Sequence, residues 1–140
     1  MVIQTARGLL ERLQQKKGLA ELITPEDFCD EGAVASALAR DKRLKSSQLR
    51  RVFGAVRTLE RQVARENDET ELNLHIRQRL ALLRAELAYA KGRKLIPKDF
   101  YQVMTKCLQK DHLSTVADLR RLGEFLSAVV AYQKYHNPEA

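Results

Sequence analysis

A chain of 140 residues with 44% hydrophobic and 31% charged side chains is long enough to bury a core without staples. Its composition is globular rather than disordered. The longest mostly apolar stretch, Phe125 to Tyr132, falls far short of the ~20 residues that a bilayer requires. No membrane span is expected. The net charge of +7 is concentrated. Residues 40–65 hold nine basic and two acidic groups, whereas residues 1–39 hold four and six. A basic excess confined to one element is the electrostatic footprint expected of a nucleic-acid contact, although a solvated helix face gives the same pattern.

Strand signals are nearly absent, and helix signals recur along the chain. Gln4 to Lys17 places Leu9, Leu10 and Leu13 on one face, with Gly18 as a stop. Thr24-Pro25-Glu26-Asp27 combines an N-cap, a first-turn proline and acids that suit the helix dipole. A helix then resumes near Gly32 and ends in the basic run Arg40 to Lys45. Ser46-Ser47 starts a long helix to about Glu66, and Asn67-Asp68-Glu69-Thr70 is a polar break. The next helix runs from about Glu71 to Lys91, closed by Gly92. Pro97 opens another through Gln109, and Ser114 or Thr115 caps the last, which reaches about Tyr135 before Asn137-Pro138. The expectation is an all-α fold, a compact bundle of five to six helices in one domain over residues 1–140. Residues 1–30 are open to being a loosely packed N-terminal segment.

The start of the chain, Met1 to Arg7, lacks a basic stretch followed by an apolar run, so no signal peptide is expected. Cys29 and Cys107 show no paired spacing and read as ordinary thiols of a reducing cytoplasm, with a disulfide left open. His75, His112 and His136 are scattered, and none joins a metal-ligand or nucleophile motif. Asp68, Glu69 and Glu71 form an acidic patch of the kind that a loop and a helix N-terminus favour anyway. The reading is no enzyme, no cofactor and no metal.

The helix from Ser47 carries two faces. At about 100° per residue, Leu49, Val52, Phe53, Val56, Leu59 and Val63 share one side, and Arg50, Arg57 and Arg61 share the other. Arg51 and Arg65 flank that row, and Gly54 lies within it. A mid-helix glycine costs about 1 kcal/mol relative to alanine. Two readings of it stand: a bare backbone admits a sugar-phosphate chain between arginines, or a neighbouring helix packs closely there. Arginine suits phosphate because its planar fork makes paired hydrogen bonds and stays charged. Arg77, Arg84 and Lys91 make a second, weaker row on the next helix, partly offset by Glu86. Exposed aromatics among basic residues are not evident, which favours backbone-level, sequence-tolerant binding over base reading. The final helix is apolar on more than one side, through Leu122, Leu126, Val129, Val130, Phe125 and Tyr132. Such a helix is deeply buried or lies in an interface. Phe125 and Tyr132 are the candidates for a self-association surface.

Leu44-Lys45-Ser46-Ser47-Gln48-Leu49-Arg50-Arg51-Val52-Phe53-Gly54 resembles the capped helix of the small subunit of type III-A CRISPR (Csm) effector complexes. Leu122 to Tyr135 resembles that family's ending, and Leu95-Ile96-Pro97-Lys98-Asp99-Phe100-Tyr101 resembles the segment that opens its penultimate helix. The resemblance covers about residues 33–135, and the order and spacing of the motifs carry it. Lys45 departs from the small polar residue that is frequent there. The resemblance implies an RNA-binding, non-catalytic subunit that stacks in copies along guide–target RNA, with other Csm subunits as partners. Carried over by position, Lys45, Arg50, Arg51, Arg57 and Arg61 contact RNA; Arg77 and Arg84 are RNA-binding candidates on their spacing alone. The competing readings are a helical interaction or dimerisation module with a solvated basic face, and a DNA-binding regulator, which would require a clear recognition helix.

Overall fold

The computed structural model describes residues 2–139, and eight helices are found among them. They are α1 (Ala6–Arg12), α2 (Leu19–Leu22), α3 (Pro25–Phe28), α4 (Val34–Arg40), α5 (Ser46–Gln62), α6 (Leu74–Gly92), α7 (Lys98–Cys107) and α8 (Val116–His136). The all-α expectation holds, but the expected count of five to six does not. The difference lies chiefly in α2 and α3, single turns of four residues each. Helical periodicity needs two or more turns to become visible in a sequence.

The caps explain most boundaries. Thr24 and Asp27 form a capping box on α3, with Pro25 in its first turn. Thr115 and Asp118 form another on α8, and the Asn73 side chain accepts from the Ile76 N–H at the start of α6. Each satisfies N–H groups that a helix start leaves orphaned. α5 stops at Gln62, because residues 66–72 turn to run beside the start of α8. There Leu72 N–H donates to the Ser114 carbonyl at 2.9 Å and Val116 N–H to the Thr70 carbonyl at 2.9 Å. This yields one isolated bridge, Glu71 with Thr115, and delays α6 to Leu74. Arg120 covers the end of α5, donating to the carbonyls of Val63, Ala64 and Glu66 at 3.4, 3.3 and 3.1 Å.

Gly92 is not the residue that closes α6. That role falls to Lys94, at φ 60°. Its N–H donates to the Lys91 carbonyl at 3.0 Å, and Leu95 N–H reaches back to the Ala90 carbonyl at 2.9 Å. This is the paired 5→2 and 6→1 pattern of a left-handed C-terminal cap, here without glycine.

α8 is the central helix and packs against α2, α3, α4 and α5. Val116, Leu119, Leu122, Phe125, Leu126 and Val129 are all buried on it. α1 and α6 pack against α7 at the far side. The N-terminal stretch is part of this core rather than a loose appendage. Ile3, Leu9, Leu13, Leu19, Leu22, Ile23 and Phe28 are buried, and Ile3 exchanges backbone bonds with Asp27 and Val34, both at 2.8 Å.

Candidate nucleic-acid interface

α5 is built as two faces. Leu49, Val52, Val56 and Leu59 are buried, Val63 at its C-cap joins them, and Phe53 is half-buried at the margin. On the outer side Arg50, Arg51, Arg57 and Arg61 are exposed, as are Lys45 at the N-cap and Arg65 in the turn just beyond the helix. The arginine row at positions 50, 57 and 61 is therefore a single solvent-facing strip. Gly54 sits within it, and a Cβ built there would meet nothing within 4 Å. Close packing of a neighbouring helix of this chain is thus not what Gly54 serves.

Arg57 is held by two neighbours on its own helix. Its guanidinium lies 5.7 Å from the Phe53 ring centroid and 3.8 Å from Glu60. Glu60 is half-buried beneath Gly123 of α8, where its carboxylate fills the space that a larger residue at 123 would need. Its Oε2 is buried without a hydrogen bond. Burial pushes the Glu60 carboxyl up; Glu124 adds to this, while Arg57 and Arg120 oppose it.

At the start of α5 a recess of about 240 Å³ is lined by Arg40, Lys42 and Lys45 together with His136. Asp41 lines it too, but its carboxylate is committed to Arg43 through contacts at 3.0 and 2.8 Å. Those bonds hold the Asp41 carboxyl below its usual value. Arg40 and Lys42 thus extend the basic strip beyond the residues that the helix pattern singles out. Their place in the run before α5 was the only sequence signal for them.

The second row differs from its expectation. Arg77 and Arg84 are half-buried. Arg84 donates to the Leu108 carbonyl at the end of α7 at 2.8 Å, where unpaired carbonyls and the negative pole of the helix favour a cation. Arg77 has its Nε buried without a hydrogen bond. Arg84 is thus tied to the end of α7, and neither arginine of this row is fully solvent-facing.

The candidate interface residues divide. Phe125 is 1% exposed and meets Phe28 edge-on at 5.4 Å between ring centroids. It is a core residue, and the apolar breadth of α8 is explained by burial within the chain. Tyr132 is half-buried, and its hydroxyl donates to the Cys29 carbonyl at 2.6 Å.

Among the described residues no group of three or more His, Cys, Asp or Glu could hold a metal ion, and no helix is long and apolar enough to cross a membrane. His112 is buried, with Nδ1 donating to the Lys17 carbonyl at 2.7 Å, a structural role. Both cysteines are free, Cys29 exposed and Cys107 buried. Burial pushes the Cys107 thiol up to about 12.

The sequence model of the family described as Csm2 Type III-A matches residues 24–139. No curated protein and no solved structure matches the chain. The family match spans most of the chain, from the capped start of α3 through the basic α5 to the end of α8. The chain therefore belongs to the Csm2 type III-A family, the small subunit of the type III-A CRISPR effector complex.

Proposed function

We propose that this subunit binds RNA backbone through the outer face of α5, stacks in copies along the guide–target RNA of its cytoplasmic complex, and performs no chemistry itself. The observation that carries the reading is the strip of Arg50, Arg57 and Arg61, solvent-facing and opposite the core stripe, with open space over Gly54. A strip at one- and two-turn spacing follows an extended polyanion better than it grips a single small anion. Arg51, Arg65, Lys45 and the Arg40–Lys42 recess widen it. The second row contributes little, because Arg84 is engaged with α7. Phosphate contacts hold register and carry no base information, which suits a subunit whose complex takes its sequence from base pairing.

A salt titration of RNA binding tests this, comparing the wild type with the Arg50→Ala, Arg57→Ala, Arg61→Ala triple variant. A flatter salt dependence in a folded variant is the expected result. An unchanged one would leave the face merely solvated.

A further inference from the structure

The outer side of α6 is anomalous for a protein so rich in charge. Leu74, Leu82 and Tyr89 are 70, 54 and 64% exposed, and Ala81, Ala85 and Ala88 are exposed between them. Gln78 is the one long polar side chain on this strip. Along this strip, about 24 Å from Leu74 to Tyr89 at 1.5 Å per residue, the exposed charged residues Arg79 and Glu86 stand at one edge rather than on the crest. A surface helix normally carries charge on its outer crest, and an exposed apolar strip in its place marks an interaction surface. The margins of the ridge are mainly basic: Arg77 and Lys91 on one side, Arg79 and Arg93 on the other, with Glu86 the exception. Arg93 lies over the Tyr89 ring, its guanidinium 5.7 Å from the centroid.

A complementary surface exists elsewhere on the same chain. Between α3 and α8 runs an open groove of about 510 Å³, lined by Pro25, Gly123, Ser127, Ala128, Ala131 and Tyr132. The groove leaves room for a ridge because Ser127, Ala128 and Ala131 are small. Its surroundings are acidic: burial raises the Cys29 thiol and the Tyr132 hydroxyl, and Asp30 raises both further, joined by Glu124 at Cys29 and Glu31 at Tyr132. Glu124 also pairs with Arg121 at 2.8 Å. Arg57 lines the groove as well, with Glu60 3.8 Å away.

We infer that the α6 ridge of one copy seats in the α3–α8 groove of the next, so that copies join head to tail through two different surfaces. This rests on the stacked-copy reading above and names the surfaces that would carry it. Charge complementarity selects the occupant. An apolar ridge with basic margins meets a small-residue groove with acidic margins, whereas two ridges packed antiparallel would set the Arg77–Lys91 flank against its own copy. A contact between two different surfaces closes into a ring or extends into an open chain according to the rotation it imposes, and stacking along RNA requires the open case. Because Arg57 lines the groove, each junction would lie beside the basic strip and continue it from copy to copy. A ridge about 24 Å long and about 10 Å wide covers far less than the ~800 Å² per partner of a stable interface. The association should therefore be weak until RNA aligns the copies.

Sedimentation at low salt up to high micromolar concentration tests this with Leu82→Glu on the ridge and Ala131→Glu in the groove. Both positions are exposed, and thermal melts verify that the variants fold. Each substitution buries an unpaired carboxylate in the contact and should weaken association at least about tenfold. An equimolar mixture of the two variants should form dimers and nothing larger, since one live ridge and one live groove remain. Association retained by both variants would overturn this inference and leave stacking through other surfaces standing. Loss with Leu82→Glu alone would point to ridge on ridge, and a mixture that stays monomeric would overturn the pairing. A wild type that is monomeric throughout would overturn both this inference and self-association.

Discussion

The carboxylate of Asp118, in the first turn of α8, lies against the backbone of Gly18, in the space that any side chain at position 18 would fill. Its Oδ1 accepts from the Ala20 N–H at 3.0 Å, and its Oδ2 accepts from the Ser114 and Thr115 N–H groups at 3.1 and 3.2 Å. One buried carboxylate thus caps its own helix and fastens the start of α2 to it. Gly18 has φ −67° and ψ 151°, which any residue can adopt. Glycine is required there for space alone.

Gly18→Ala is therefore expected to destabilise the fold by about 1–3 kcal/mol, the range for overpacking a closed site. Asp118→Ala should cost about 3 kcal/mol, because it strands buried N–H groups. The two changes act on one contact, so the double variant should lose less than the sum. Denaturant melts of the four proteins measure this.

Lys94→Gly should stabilise the protein by about 1 kcal/mol. Lys94 holds φ 60°, a region that costs a residue with a Cβ roughly 1–2 kcal/mol and glycine almost nothing. The gain is smaller than that cost because the unfolded chain with glycine is more flexible. A rise in urea midpoint at unchanged slope is the expected observation.

Glu60 should leave a signature in the pH dependence of stability. Its carboxyl is raised by burial above the ordinary value of 4.5. Where the group is ionised in both states it costs stability. As pH falls through the raised folded-state value the folded protein takes up the proton first, and the cost is relieved, fully so below the unfolded value. Glu60→Gln should melt at or above the wild-type temperature near neutrality and lack this rise on mild acidification. Thermal melts of both proteins between neutral and mildly acidic pH provide the comparison.

Each phosphate contact on a single strand contributes roughly 0.7 to the slope of log affinity against log salt. Removing Arg50, Arg57 and Arg61 together should flatten that slope by about 2, with similar losses for unrelated RNA sequences. These are surface positions, so stability should change by about 0.5 kcal/mol or less for each. Arg84→Ala should do the reverse. It should leave the slope nearly unchanged while costing about 1–2 kcal/mol of stability, since the Leu108 carbonyl loses its donor.

The local features of this protein were legible in its sequence. The cap at Thr24-Pro25, the cap at Thr115 and the two faces of α5 follow from hydrogen bonding and a helical period, which act over a few residues. The basic strip at Arg50, Arg57 and Arg61 followed for the same reason, since a row opposite a core stripe is fixed by the helix alone. What surrounds each face was decided only in three dimensions. The breadth of apolar residues on α8 is compatible with either an interface or the centre of a bundle. Four helices packing around α8 made it the centre and put Phe125 on Phe28. Arg77 and Arg84 read as a second strip, until the end of α7 placed the Leu108 carbonyl beside Arg84. Helix signals in the first 30 residues left open how those residues pack, and Asp118 ties them in from about a hundred positions away. A helix sets the directions in which its side chains point, and burial depends on which other elements arrive there.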